Sequence, residues 1–280
     1  DASFWYRAKW PMQALAEKGL ATFRMYMSPR ADTDFIPDLV IFHRVVDPES
    51  LTLLKEFKKQ GIKTVFDLDD DYVYLDPTNM AHLTCSKDRT AVTRHANALK
   101  TIPNMVEIFP QYKWLMEKDV KWIADNAFAN FDRMVQFLHE ADLVTVSTES
   151  LRKTYSGWGC RNIAVLPNLE KESEWSGVVR APLLSKIVIG WSGGFSHFFT
   201  DLKPLASPIS RVMKENENVH LHLIGAVEAK SIFEGCPQDR IFAEPWQGFD
   251  KYKEMISEFD INLAPSYGKK KFAEGKSAIR

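Results

Sequence analysis

"DLVIFHRVVDPESLTLLKEFKKQGIKTVFDLD" (residues 38–69) decides the fold class. Residues 38–45 form a short apolar run rich in β-branched side chains, as expected of a strand buried on both faces. Residues 47–61 then read as a helix. Asp47 is placed to cap it, Pro48 suits its first turn and Gly61 its stop. Residues 62–69 form a second strand. Strand, helix, strand at this spacing is a βαβ unit, which implies a parallel sheet with helices on its faces.

The same grammar extends outward. Residues 10–20 read as a helix with Pro11 in its first turn and Gly19 at its stop. Residues 78–100 are mixed and polar and give no clear assignment. Residues 113–140 carry Trp114, Leu115, Ile123, Phe128, Phe131, Val135 and Leu138 near helical spacing, an aromatic stripe of the kind that usually packs in a core. Strands are expected over 141–148 and 162–168, with a short helix between. Residues 169–185 are polar and irregular and read as a linker. A second α/β series follows. It has strands at 186–193, 219–225, 240–245 and 260–265, and helices at about 201–215 and 249–259. The expectation is two α/β lobes with parallel sheets, residues 1–168 and 186–280, and a ligand cleft between them at the strands' carboxyl ends.

Bulk properties exclude some functions. The formal net charge is −1, so no global field draws the chain to nucleic acid or an anionic membrane. The lysines Lys269, Lys270 and Lys271 read as a solvated run. Cys85, Cys160 and Cys236 are odd in number and far apart, which makes neither a disulfide framework nor a metal-ligand spacing. A reduced, cytoplasmic compartment fits them, as does the inner membrane periphery. No apolar run approaches the roughly 20 residues that cross a bilayer. The chain opens on Asp1 and stops at Arg280 without a terminal cap, so both ends read as cut from something longer.

Two stretches carry candidate chemistry. The first is "TVFDLDDDYVYLDP" (64–77), where Asp67, Asp69, Asp70 and Asp71 crowd the end of a strand. Three readings stand: carboxylates that face a ligand, Asp-built turn or helix caps, and an Asp-x-Asp metal site for Mn or Mg. Neighbouring carboxylates repel, which raises a pKa among them. Asp71 is the residue best placed to cap. The second stretch is "GWSGGFSH" (190–197), between a strand and a helix. Gly190, Gly193 and Gly194 let a backbone approach a ligand, and exposed amides there suit a diphosphate; a tight structural turn explains them equally. His197 adds a phosphate donor or caps a turn, and Asp201 is placed to cap the next helix. Trp246, after a strand, stacks on a flat ligand group or packs in the core. Arg44 ends a strand, so it should point to the cleft and pair there with the aspartates or an anionic acceptor. Arg7 is the other polar candidate for the acceptor, and either residue makes a surface ion pair of little worth as the alternative.

The segments "YRAKWPMQALAEKGL", "DLVIFHR", "GIKTVFDLDDDYVYLDP", "ADLVTVSTESL", "VLPN", "IGWSGGFSHFFTDL" and "FDINLAPSYGKKKFAEGKSAIR" come in one order. That order resembles the nucleotide-sugar glycosyltransferases of the GT-B fold, specifically the family 4 type of bacterial polysaccharide gene clusters and phages. The resemblance covers nearly the whole chain and implies two Rossmann-like lobes, the second incomplete. It implies a retaining transfer that needs no bound metal or other cofactor. The donor is a UDP-, GDP- or ADP-sugar held mainly by the second lobe. The acceptor is a hydroxyl on a glycan, a lipid-linked sugar or a hydroxymethylated DNA base. Gly193, Gly194 and His197 match the phosphate-side loop, and Lys276 and Ser277 the later donor-binding segment. Many members carry an Arg and a Lys after the glycine loop. Here "SHFFTDLK" stands instead, which makes Lys276 the first choice for neutralising the diphosphate. In many members a histidine at the corresponding strand end touches the transferred sugar; Asp69 and Asp70 stand in that place. A non-catalytic nucleotide-sugar-binding module is the other reading.

Overall fold

The computed structural model describes residues 2–28, 34–77, 79–108, 112–178, 185–194, 201–225, 227–265 and 274–276. The chain divides into two compact units, Asp1–Glu170 with Glu274–Ile279, and Lys171–Ala273 with Arg280.

The first unit carries a four-stranded sheet of order β1-β2-β3-β4. Its strands are β1 (Leu39–His43), β2 (Lys63–Leu68), β3 (Leu143–Val146) and β4 (Ile163–Val165), all parallel. The local signals act as expected. Helix α1 (Trp10–Glu17) has Pro11 in its first turn. Helix α2 (Pro48–Lys59) is capped by Asp47, whose carboxylate accepts from Ser50 N at 2.7 Å. It ends at Gly61 in the left-handed region, φ 79°, where glycine pays no Cβ penalty.

Two segments differ from the sequence reading. Residues 113–140 are not one helix: Lys113–Glu117 stops, Lys118 is extended, and Asp119 starts α4 (Val120–Glu140) by accepting from Trp122 N at 2.7 Å. The apolar period runs through the break, which hid the cap. The unassigned 78–100 holds a 3-10 turn, Met80–Leu83, and α3 (Arg89–Lys100), capped by Asp88. Helix α5 (Glu149–Ser156) follows β3, capped by Thr148.

Register explains how one sheet carries both core and site. Phe42 lies opposite Phe66 and His43 opposite Asp67. Phe66 lies opposite Val144 and Asp67 opposite Thr145. Successive side chains point to opposite faces. The row Phe42, Phe66, Val144 therefore packs under α4, with Phe137 stacked on Phe66 at 4.7 Å between ring centroids. The row His43, Asp67, Thr145 lies on the other face.

The second unit has a four-stranded parallel sheet of order β7-β6-β5-β8, with β5 (Ile187–Gly193), β6 (Val219–Gly225), β7 (Ile241–Pro245) and β8 (Ile261–Leu263). Helices α6 (Ala206–Glu215) and α7 (Phe249–Ser257) belong to it. Trp191, Leu221, Leu223, Met213 and Phe233 form its main core. Strand β5 runs through Gly193, so half of the expected glycine loop is strand. Helix α6 begins at Ala206, so Asp201 does not cap it; Asp201 is buried instead.

The three cysteines are free and buried. Among the described residues no helix is long and apolar enough to cross a membrane.

Candidate active site

The four aspartates of the first unit are held in four different ways. Asp67, inside β2, is buried against Arg7, which donates through Nε to Oδ2 at 3.1 Å and through Nη2 to Oδ1. His43 Nδ1 lies 2.8 Å from Oδ2, and Thr145 Oγ1 donates to Oδ1 at 2.5 Å. Burial opposes the charge, but these partners outweigh it and hold the carboxyl below its usual range. Arg7 is itself only 4% exposed and also donates to Leu166 O and Asn168 Oδ1. Read from sequence as an acceptor contact or a surface pair, Arg7 is instead an interior strut that ties the N-terminal segment to the sheet and to the end of β4. Its segment, Trp5–Lys9, is a π-helical turn.

Asp71 closes a turn. Its Oδ1 accepts from Val73 N and Tyr74 N at 3.0 Å each, and Oδ2 from Thr154 Oγ1 at 3.1 Å. Burial nonetheless raises its pKa. This is the capping role open to any Asp at a strand exit.

Asp69 and Asp70 are left facing cations. Arg44 Nε lies 3.4 Å from Asp69 Oδ1 and Arg44 Nη2 3.7 Å from Asp70 Oδ2. Lys276 Nζ donates to Asp70 Oδ1, across 206 residues of sequence. It is brought there by the return segment, where Thr148 Oγ1 donates to Gly275 O at 3.2 Å. Arg44 is held by Tyr72 Oη at 3.2 Å and Ser3 Oγ at 2.9 Å. Burial opposes its charge, but Tyr72, Asp69 and Asp70 raise its pKa above the ordinary arginine value. Its backbone sits at φ 55°, a left-handed conformation that costs a non-glycine residue about 1–2 kcal/mol. Strain of this kind concentrates at functional sites, and here it aims a guanidinium at the aspartates. Tyr72 is buried, which pushes its hydroxyl pKa up to about 12.

Asp69 is the least satisfied of the four. Its Oδ1 is buried and makes no hydrogen bond among the described residues. Burial raises its pKa, Arg44 only partly offsets that, and Asp70 adds to it. A raised carboxyl pKa costs stability when the group is ionised, and the cost disappears as pH falls through the window from the folded value to the ordinary one. Asp69→Asn is therefore expected to stabilise the chain at pH 7 by about 1 kcal/mol. The gain should shrink toward zero as pH falls toward the ordinary carboxylate range. Thermal unfolding of both proteins across that range checks it; a destabilised variant at pH 7 sinks the assignment.

The second unit's predicted residues are more scattered. A Cβ on Gly190 would meet the Phe259 ring at 2.0 Å, so this glycine makes room for core packing. A Cβ on Gly193 would meet the Trp191 indole at 2.4 Å, and one on Gly225 would meet Gly193 O at 2.5 Å. The close approach here is strand to strand. Among the described residues, no atom lies within 4 Å of where a Cβ on Gly194 would stand. Trp246 is 52% exposed and lies tilted against the Tyr252 ring, with centroids 4.6 Å apart, so it is no core residue. His197 and Ser277 lie outside the described residues, as does the lysine run 269–271. Among the described residues, no three His, Cys, Asp or Glu side chains are grouped to hold a metal ion.

Sequence reasoning missed His43, Ser3 and Thr145. The signal for His43 and Thr145 was available: each is the strand residue that parallel register places beside Asp67. Nothing local marked Ser3.

No family model matches the chain, and no curated protein does. Among solved structures the chain is similar to a Listeria monocytogenes protein named "putative UDP-N-acetylglucosamine 2-epimerase", with TM-score 0.38 and 9% identity over 89% of this chain and 53% of that one. It is also similar to S. aureus MnaA with UDP, with TM-score 0.37 and 9% identity over 90% and 55%. The chain spans about half the length of these structures, and a likeness this slight carries no argument about what it does.

Proposed function

We propose that the chain is a glycosyltransferase that moves a sugar from a nucleotide-diphosphate donor to a hydroxyl acceptor. The observation that carries this reading is the meeting of Asp69 and Asp70 with Arg44 and Lys276 past the carboxyl end of β2. Fixed cations suit the charge that develops on a departing diphosphate, and they act most strongly where water is scarce. Carboxylates beside them accept hydrogen bonds from sugar hydroxyls and steady positive charge at an anomeric carbon. In this reading residues 1–168 bind the acceptor and residues 186–280 the nucleotide, with Lys276 in the return segment that packs in the first unit. Gly193 and Gly194 serve as the phosphate turn there, with His197 and Ser277, and Trp246 as a stacking surface for the base. The resemblance implies retention of configuration and a metal-free donor site, with a glycan, lipid-linked sugar or hydroxymethylated base as acceptor.

Thermal unfolding with UDP, GDP and ADP, each with EDTA and with Mn, tests the reading. One nucleotide in EDTA is expected to stabilise the chain by about 2.7 kcal/mol at 100 times its dissociation constant, a shift of several degrees. Lys276→Ala should abolish that shift and lower transfer about 100-fold or more. A shift that requires Mn would return Asp69 and Asp70 to the Asp-x-Asp metal reading. No shift with any nucleotide would overturn the proposal.

A second reading is a binding module without turnover. It is favoured by one observation: Lys276 and Arg44 are already paired with carboxylates, so a diphosphate must compete for them. Nucleotide binding without transfer or donor hydrolysis would establish it.

A further inference from the structure

The Asp67 cluster contains a chain of hydrogen bonds that the strut role of Arg7 does not require. Asp67 is held ionised, so it only accepts. His43 Nδ1, 2.8 Å from Asp67 Oδ2, must therefore carry the hydrogen, and in the neutral ring Nε2 is the accepting atom. The hydroxyl of Ser3 lies 3.3 Å from that Nε2. The same hydroxyl accepts from Arg44 Nη1 at 2.9 Å. One hydroxyl thus lies between an imidazole nitrogen fixed from behind by Asp67 and a fixed cation.

We propose that His43 and Arg44 form a subsite for a sugar hydroxyl of the acceptor, and that Ser3 occupies the hydroxyl's place in the unliganded chain. The inference rests on the transferase reading for the identity of its ligand, but its geometry belongs wholly to the first unit.

Three features support a built site over an incidental contact. His43 is oriented from behind by Asp67, which is itself fixed by Arg7 and Thr145, so the direction of the Nε2 lone pair is set by the sheet register. Arg44 reaches the same point only by holding a strained backbone. The contact at 3.3 Å is long for a hydroxyl donor, so Ser3 fills the place without an optimal fit. Ser3 sits just before the π-helical turn Trp5–Lys9, and such irregular turns are frequent at functional sites. A hydroxyl held here is oriented by accepting from Arg44 and donating to His43. In this role His43 is a positioning residue for the bound acceptor.

The test uses the full chain with ¹⁵N-labelled histidine and methyl α-glucoside and methyl α-mannoside as probes. The imidazole ¹⁵N shifts of His43 are expected to show the Nδ1–H tautomer, a readout that a space-filling role would not fix. Saturation-transfer NMR is expected to show saturable binding of a glycoside and a change at His43 Nε2. Ser3→Ala removes the competing hydroxyl and should tighten the probe about tenfold, whereas His43→Gln should weaken it by a similar factor. An Nε2–H tautomer would overturn the subsite. So would binding that is undetectable in both wild type and Ser3→Ala, or that Ser3→Ala weakens as much as His43→Gln does. Nucleotide-induced thermal shifts are measured on the same proteins. Glycoside binding without any nucleotide shift would defeat the transferase reading and leave the subsite standing. A nucleotide shift with no glycoside effect would do the reverse.

Discussion

Arg7→Met is expected to destabilise the first unit by about 3–5 kcal/mol, the cost of breaking a buried ion pair from one side. For a unit of this size that is a fall of about 10 °C in Tm. The variant leaves the Asp67 carboxylate in the interior with only His43 and Thr145. It also detaches the N-terminal segment from Leu166 and Asn168. The pH dependence has a definite sign. The folded-state pKa of Asp67 is depressed, so its contribution is present above the ordinary carboxylate range and is lost as pH falls through the folded value. Without Arg7 that depression weakens, and the acid limb of the stability curve should move toward neutral pH. Adding Asp67→Leu to Arg7→Met removes the orphaned charge and should recover most of the loss, because burying neither ion avoids both desolvation costs. Denaturant unfolding of the two single variants and the double variant forms the cycle. A single-variant cost under about 1 kcal/mol, in the range of surface pairs, would show that the strut is not what holds Asp67.

Phe137→Ala is the second large effect, about 3–5 kcal/mol. Phe137 is fully buried on α4, stacks on Phe66 at 4.7 Å and lies 5.7 Å from Phe42. Its removal leaves a cavity under the edge strand β1 and its neighbour β2, where the surrounding side chains relax only in part. The site should feel it as well. Phe42 and Phe66 directly precede His43 and Asp67 along β1 and β2, so slack beneath the apolar row reaches the polar row on the opposite face. Phe137→Leu, which keeps most of the volume, is expected to cost under half as much. Equal losses in the two variants would mean that shape at this position matters more than the void.

The elements that assemble this site were written locally, and the site itself was not. Asp47, Pro48 and Gly61 act on residues within a turn of themselves, so the α2 helix and its boundaries follow from sequence alone. The β-branched runs of β1, β2 and β3 likewise needed only their own composition to be read as parallel strands, but their burial did not follow from it: β2 is buried almost throughout, whereas β1 lies at the sheet edge with Leu39 and Ile41 exposed. Helix α3 and the break at Asp119 were locally encoded too, by Asp88 and Asp119, but polar neighbours masked the first and a continuous apolar period the second. The crowding of Asp67, Asp69, Asp70 and Asp71 was equally plain, and so was the capping role of Asp71, since its partners are the next amides along the chain. What the other three carboxylates do depends on charges that the sequence places far away. Arg7 meets Asp67 across 60 residues and Lys276 meets Asp70 across 206. Only the packed sheet brings His43 and Thr145 level with Asp67. A carboxylate's character is set by its burial and by the cations within a few ångströms. Sequence therefore determined that negative charge would gather at the end of β2. The tertiary structure alone decided which aspartate is neutralised in the interior, which closes a turn, and which two stand with Arg44 and Lys276.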